Sequence, residues 1–295
     1  MLPCFAVLIS PETLYLGMNF MKMKNWFFLM LTFCTTLALN AQNGTPPVAG
    51  ARGASMGGVG AAFEDVHSVF SNQAGMSEVD ALGFSLLAEQ RFLLNAIRTV
   101  SAGGILPIKN SRLGLALNYY GTDAYNEQRI SLGYARKLME NFSIGAALDF
   151  LNTNIPEYGS KGVMTFELGL MARFTPQLNM GVHVFNPLNV ELIEGEKLPS
   201  ILKMGLKYSP SQKVDIFGEV SKDIDFDIRT HWGVEYEVIE DLNLRLGVAT
   251  QPVEITFGAG YQLGNGLKID VGSRYHEVLG ISPSVGIVFV GKEKG

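Results

Sequence analysis

From Ala81 to the C-terminus, apolar side chains recur at every second position, and no convincing 3.6-residue stripe interrupts them. Phe142, Ile144, Ala146, Leu148 and Phe150 alternate with Ser143, Gly145, Ala147 and Asp149. Leu242, Leu244, Leu246 and Val248 alternate with Asn243, Arg245, Gly247 and Ala249, and Ile255, Phe257, Ala259 and Tyr261 with Glu254, Thr256, Gly258 and Gly260. A pleated strand sends two such sets to opposite faces. One face is then continuously apolar, while the other mixes Gly, Ser, Asn and charges of both signs. A water-soluble β-sandwich also alternates, but its polar face is normally rich in Lys, Glu and Thr. This one is rich in Gly and Ala, as suits a crowded lumen. Strands of about ten residues, apolar outward and polar inward, are the pattern of an all-β transmembrane barrel of the outer-membrane type.

The alternation predicts fourteen antiparallel strands, at 82–91, 96–108, 112–120, 128–137, 141–150, 163–174, 177–185, 201–208, 213–220, 228–238, 241–249, 253–262, 267–275 and 281–290; twelve is the alternative count. An even number puts both ends of the barrel in the periplasm, so every second connection should be a short periplasmic turn. Lys109–Ser111, Leu138–Glu140, Thr175-Pro176, Ser209–Gln212, Ile239-Glu240 and Gly264–Gly266 fit that parity, and Leu151–Gly162, Asn186–Ser200 and Ser221–Asp227 read as the long extracellular loops. Phe92, Tyr119, Tyr120, Tyr134, Tyr208, Trp232, Tyr236, Tyr261 and Tyr275 lie near strand ends, where aromatic girdles form. Closure pairs every backbone group, as lipid demands.

The composition fits this scheme. Only 17% of the 295 residues are charged, against about 25% in soluble domains. The mean hydropathy of +0.18 is too low for a bundle of transmembrane helices; it averages a lipid face and a lumen face. A net charge of -5 without a Lys/Arg cluster argues against nucleic-acid binding.

Before the strands stands a targeting segment. Lys22 and Lys24 precede the apolar run from Trp26 to Leu39, followed by Asn40-Ala41-Gln42, a secretory signal peptide pattern cleaved after Ala41. Met21 or Met23 reads as the true start, with Met1–Phe20 an over-extended one. The organisation is therefore start extension and signal at 1–41, an N-terminal periplasmic or plug segment at 42–80 and the barrel at 81–295. Cys4 and Cys34 are the only two cysteines, so the mature chain has no disulfide, thiolate metal site or cysteine nucleophile.

Residues 50–76 form a Gly-rich head. It carries Arg52, Met56-Gly57-Gly58, Asp65 and then Asn72-Gln73-Ala74-Gly75-Met76. Gly58-Val59-Gly60 is no dinucleotide loop, because no buried strand precedes it and no βαβ unit follows. The head resembles the N-terminal segment of the FadL-like outer-membrane proteins and their Bacteroidetes relatives of the PorV/PorQ type. Those share an Arg, a Met-Gly-Gly cluster, an acidic residue and Asn-Pro-Ala-Gly-Leu; here Gln73 replaces the proline. The resemblance implies a fourteen-strand barrel plugged from the periplasmic side by the head. Its small residues permit tight packing, Asn72 can bond backbone groups at a turn, and Arg52 and Asp65 can pair with lumen charges. Glu167, Arg173, Glu235, Glu237, Arg245 and Asp270 are the expected lumen-facing charges. This chain is shorter than classical FadL proteins, so the barrel should barely clear the membrane.

No chemistry of catalysis is marked. His67, His183, His231 and His276 are scattered without a metal spacing, and no Gly-x-Ser-x-Gly elbow occurs. No cofactor is expected. Asp215, Glu219, Asp223, Asp225 and Asp227 read as an acidic stretch around an extracellular loop. The chain is thus expected to be a non-enzymatic protein of the Gram-negative outer membrane, in contact with its lipids. It is expected to transport small hydrophobic molecules or to serve type IX secretion beside a secretion-system subunit. The alternative is a non-conducting structural or adaptor barrel that binds a periplasmic or surface partner.

Overall fold

A computed structural model of the chain describes residues 49–193 and 196–292. The expected signal segment, its cleavage site and both cysteines lie outside the described residues. The head begins with a short helix α1 (Gly50–Ala54) and continues through two 3-10 turns, Val66–Phe70 and Gln73–Glu78. The strands follow as β1 (Gly83–Gln90), β2 (Arg98–Ile108), β3 (Ser111–Thr122), β4 (Tyr125–Met139), β5 (Phe142–Ile155), β6 (Gly159–Thr175) and β7 (Leu178–Phe185). A small hairpin, β8 (Glu191–Ile193) and β9 (Glu196–Lys197), precedes β10 (Ile201–Ser211), β11 (Val214–Asp223), β12 (Arg229–Ile239) and β13 (Leu242–Ala249). The wall is completed by β14 (Glu254–Gly264), β15 (Leu267–His276) and β16 (Gly280–Val290). All but β8 and β9 form one closed barrel of fourteen strands, antiparallel throughout and sealed where β1 pairs with β16.

The alternation decides which face each residue occupies. Outward side chains such as Leu132, Leu246 and Trp232 are 60%, 64% and 56% exposed, while their inward neighbours Ser131, Arg245 and Gly233 are buried. An apolar band of this extent on every strand far exceeds what a soluble surface carries; it is a lipid-facing surface. Outward glycines in this band are covered by aromatic rings, Gly104 by Phe84, Gly162 by Phe150 and Gly218 by Trp232. Leu246→Arg, in the middle of β13, is expected to destabilise the barrel by about 2–4 kcal/mol. Equilibrium unfolding in urea measures it, and an unchanged midpoint would argue against lipid at that face.

Five periplasmic hairpins carry a register shift beside the turn, at Lys137/Met139, Arg173/Thr175, Tyr208/Ser211, Glu237/Ile239 and Gln262/Gly264. Such bulges sharpen the local twist where the chain reverses. Between β14 and β15, Asn265 and Gly266 both take positive φ, 52° and 81°, which two-residue hairpins of matching twist require.

Three expectations from the sequence need correction. Leu151–Gly162 is not a long loop: β5 runs to Ile155 and β6 starts at Gly159. Here Asn152, Thr153, Asn154, Ser160 and Lys161 carry the strands on, with no apolar face to report them. A hairpin with water on both sides shows no alternation, so periodicity reads it as loop. For the same reason β4, β5 and β6, at 15, 14 and 17 residues, reach well beyond the membrane band. Finally, Asp215, Glu219 and Asp223 belong to β11 rather than to a loop. Asp215 and Glu219 both face the interior.

Candidate functional site: the filled lumen and its extracellular mouth

The head crosses the interior and touches the whole wall. Every barrel strand except β11 carries an inward glycine at the level of the head, with head atoms within contact distance of where a β-carbon would stand. Examples are Gly103 against Val69 and Phe70, Gly114 against Met76, Gly233 against the Met56 β-carbon and Gly286 against Ala51. The girdle exists because two backbones must approach more closely than any side chain allows. On β11 the place is taken by Phe217, whose ring meets Phe63 edge-on at 5.4 Å. Two apolar clusters result: Ala49, Met56, Val59, Phe63 and Phe217 on one side, and Val66, Val69, Phe70, Met76 and Ile105 with their neighbours on the other.

Polar groups of the head meet matching groups of the wall. Arg52 is buried and binds Glu235 of β12 through Nε at 3.1 Å and Nη2 at 2.6 Å, while Nη1 reaches Asp65 at 2.6 Å. Its guanidinium lies 4.5 Å from the Phe63 ring centre. Arg245 of β13 joins the network, donating to Glu235 and, at 2.7 Å, to Asp270 of β15. Asp65 caps the first 3-10 turn by accepting from the His67 backbone N–H at 2.9 Å. Burial alone would raise the Asp65 carboxyl, but His67 and Arg52 beside it hold it well below the usual carboxylate range. Glu219 accepts from the backbone N–H groups of Gly60 and Ala61, both at 2.8 Å, and Thr256 accepts from Gly57 N–H at 2.7 Å.

Asn72 closes the second half of the head. Its amide donates to Ala61 O at 2.7 Å and to Leu170 O of β6 at 3.0 Å, and its oxygen caps the turn at Ala74 N, 3.1 Å away. Gln73 donates to Glu167 at 2.6 Å. Ala74 lies against Gly145, and Gly75 is packed so closely on the Phe63 carbonyl that no β-carbon fits. At the periplasmic rim Arg173 pairs with Glu64 and Glu78 at 3.1 and 3.2 Å. Gly58 takes positive φ, and Glu237 is half-buried low on β12 without an ion pair among the described residues. The six lumen charges named from the sequence therefore divide: Glu235, Arg245 and Asp270 share the Arg52 network, Glu167 and Arg173 each hold other parts of the head, and Glu237 stands apart.

The extracellular mouth holds a feature that the sequence did not announce. In the connection that follows β7, Leu192 and Leu198 pack on Leu151, Phe185 and Ile201, with Val163 beside them. Together they form a closed, buried apolar cluster at the mouth. Asn186, fully buried with φ 51°, holds the loop. Its oxygen accepts from Thr165 Oγ1 at 2.7 Å and Val190 N at 3.1 Å, and its amide donates to Leu198 O at 3.1 Å and Pro199 O at 3.3 Å. Asn186→Ala should cost about 2–3 kcal/mol locally, as several buried partners lose their bonds at once. Limited proteolysis between 187 and 199 should then accelerate at least about tenfold while the barrel stays intact; unchanged cleavage would show that the loop is held otherwise. Below the patch, Arg129, Asp149, Glu167 and His183 form a buried charged group, none of it recognised in the sequence except Glu167. The inward parity of Arg129, Asp149 and His183 was the available signal.

Of the aromatics, Tyr134, Tyr208, Trp232, Tyr236, Tyr261 and Tyr275 face outward and are 42–56% exposed, as girdle residues are. Phe92 and Tyr120 instead serve the mouth: Phe92 packs on His276 at 6.0 Å, and Arg91 lies 5.6 Å from the Tyr120 ring.

Fold and lipid face together define a transmembrane β-barrel of the Gram-negative outer membrane. Its backbone matches several solved barrels of FadL-like fold. The Ralstonia pickettii toluene transporter TbuX superposes with a TM-score of 0.61 at 13% identity, covering 81% of this chain and 96% of that one. The monoaromatic hydrocarbon channel CymD gives 0.61 at 14%, covering 86% and 100%. A Pseudomonas aeruginosa FadL homologue gives 0.57 at 12%, covering 82% and 97%. The likeness is one of fold. No family model and no curated protein matches the sequence.

Proposed function

We propose that this barrel takes small hydrophobic molecules at its extracellular mouth, with residues 49–80 acting as a plug. The observation that carries the reading is the buried apolar cluster of Leu151, Phe185, Leu192, Leu198 and Ile201 at that mouth. The names of the toluene transporter and the hydrocarbon channel that share the fold point the same way. The reading is one of transport, not catalysis. Titration of the full-length protein with toluene tests it. Saturable binding that Phe185→Ala weakens at least about fivefold supports the reading; binding that Phe185→Ala leaves untouched sinks it.

A second reading is favoured by the head itself, whose fit to the glycine girdle leaves the barrel filled. In that reading the protein is a non-conducting adaptor for a periplasmic or surface partner. The resemblance of the head motif extends this to a PorV/PorQ-like subunit of a type IX secretion apparatus. Cross-linking from the periplasmic turns in intact cells separates the two: a stoichiometric protein partner supports the adaptor, and its absence leaves transport.

A further inference from the structure

We propose that a cavity at the periplasmic end of the lumen, between the head and β13–β16, binds a carboxylate carried on a small apolar body, either a free acid or the C-terminus of a peptide. The inference draws on neither reading above. The cavity measures about 340 Å³, at the small end of the range for ligand sites. Val66 of the head and Val288 of β16 give it an apolar wall. Asn243, Gln262 and Lys268, half-buried at the periplasmic ends of β13, β14 and β15, give it a polar one. Gly266 of the β14–β15 turn and the exposed Val290 stand at its rim. Its inner end is closed, because the head there sits directly on the wall. Gly57 N lies against Gly247, Ser55 against Gly258, and Ala51 against Gly272 and Gly286. Such a dead end is no passage through the barrel: what fills it enters and leaves from the periplasm.

Each carboxylate around the cavity already has an arginine. Glu235 accepts from Arg52 and Arg245, Asp65 from Arg52, and Asp270 Oδ1 from Arg245. The second oxygen of Asp270 is buried, 3.8 Å from His67 Nε2. Lys268 has no such partner: it makes no ion pair among the described residues, and Asp270 and Glu235 act on it only at longer range. It is also crowded by a like charge. A β-carbon on Gly260 would stand 2.7 Å from Arg245 Nη2 and 2.8 Å from Lys268 Cε, so the two cations are neighbours, and that Nη2 is buried without an acceptor. What the cavity leaves unanswered is therefore positive charge, and a charge withdrawn from water is costly unless paired. A neutral ligand would not answer it, an ammonium would add to it, and a phosphate dianion would bring more charge than one free lysine offsets. A single carboxylate can accept from Lys268 and from the Asn243 amide while its apolar body rests on Val66 and Val288. Capture of a terminal carboxylate is an established way of recognising a chain end.

The test is calorimetric titration of the full-length protein, folded in detergent micelles and checked by heat-modifiable gel mobility. The probes are 3-methylbutanoate and N-acetyl-alanyl-valine, each compared with its carboxamide, which keeps the size and loses the charge. An acid that fits should bind at least about tenfold more tightly than its amide, as a hydrogen bond between charged groups gives. Lys268→Met keeps the apolar stem and should bring that acid to within about threefold of its amide. Lys213→Met, at an exposed lysine of the β10–β11 turn, should change nothing. If Lys268→Met does not fold, Asn243→Leu should still weaken the acid at least about threefold by removing the second donor. Saturation by the peptide but not by the free acid assigns the site to a chain end, and saturation by the free acid assigns it to a small acid. Equal binding of acid and amide, an acid that neither Lys268→Met nor Asn243→Leu weakens, or no saturable binding of either acid overturns the proposal.

Discussion

Replacing Arg52 with alanine should destabilise the folded barrel by about 3–5 kcal/mol, the cost of breaking a buried ion pair from one side. The cost lies in what is left behind. Arg52 supplies two hydrogen bonds to Glu235 and one to Asp65, and Asp65 in turn caps the first turn of the head. Without the guanidinium, Glu235 keeps only Arg245, which Asp270 also claims. The Phe63 and Phe217 rings that flank the guanidinium offer Glu235 no replacement donor, while Asp65 keeps its bond from the His67 backbone. The unfolding midpoint in urea should fall sharply, while Arg52→Lys should recover only part of it because a single ammonium cannot make the forked contact. A midpoint shifted by less than about 1 kcal/mol would mean that solvent already reaches the pair.

Gly181→Val should unseat the head. A β-carbon at Gly181 would overlap the Ala61 carbonyl oxygen, and the amide of Asn72 lies close by. Both obstacles belong to a segment held by Glu219 and Leu170, so no rotamer change relieves the overlap. Overpacking against side chains costs about 1–3 kcal/mol; against a fixed backbone the head must move. The expected result is rapid proteolysis within 49–80 from the periplasmic side, with the strands still resistant. Gly218→Ala on β11 makes the control. That glycine faces outward beneath Trp232, and the atom nearest to an added β-carbon, at 3.0 Å, belongs to the indole ring rather than to backbone. A head equally protected in Gly181→Val would show that the girdle is not what seats it.

Much of this architecture was legible as alternation. Leu242 to Val248 and Ile255 to Tyr261 announce their strands because lipid lies on one side and a polar interior on the other. The signal ends where that contrast ends. Asn152 to Lys161 continue β5 and β6 through water, so nothing in their order distinguishes strand from loop. Glu219 looked like part of an acidic loop because Asp223, Asp225 and Asp227 follow it; only its parity with Phe217 places it inside, under Gly60 and Ala61. The head motif marked Arg52, Asp65 and Asn72 as residues of interest, but the wall partners Glu235 and Leu170 lie 183 and 98 positions away from Arg52 and Asn72. No local pattern carries such pairings. The apolar patch at the mouth was hidden for a different reason: Leu192 and Leu198 sit in an irregular connection, where apolar residues have no period to obey.

In the proposed reading, the glycine girdle and the Arg52 network serve one end, the closing of the barrel by residues 49–80. Single-channel recording of the full-length protein in planar lipid bilayers puts that closure to the test. The trace should stay flat, with no stable open level at any moderate voltage, because the head meets the inward glycines around the wall. A steady ohmic conductance from the intact chain would overturn the plug.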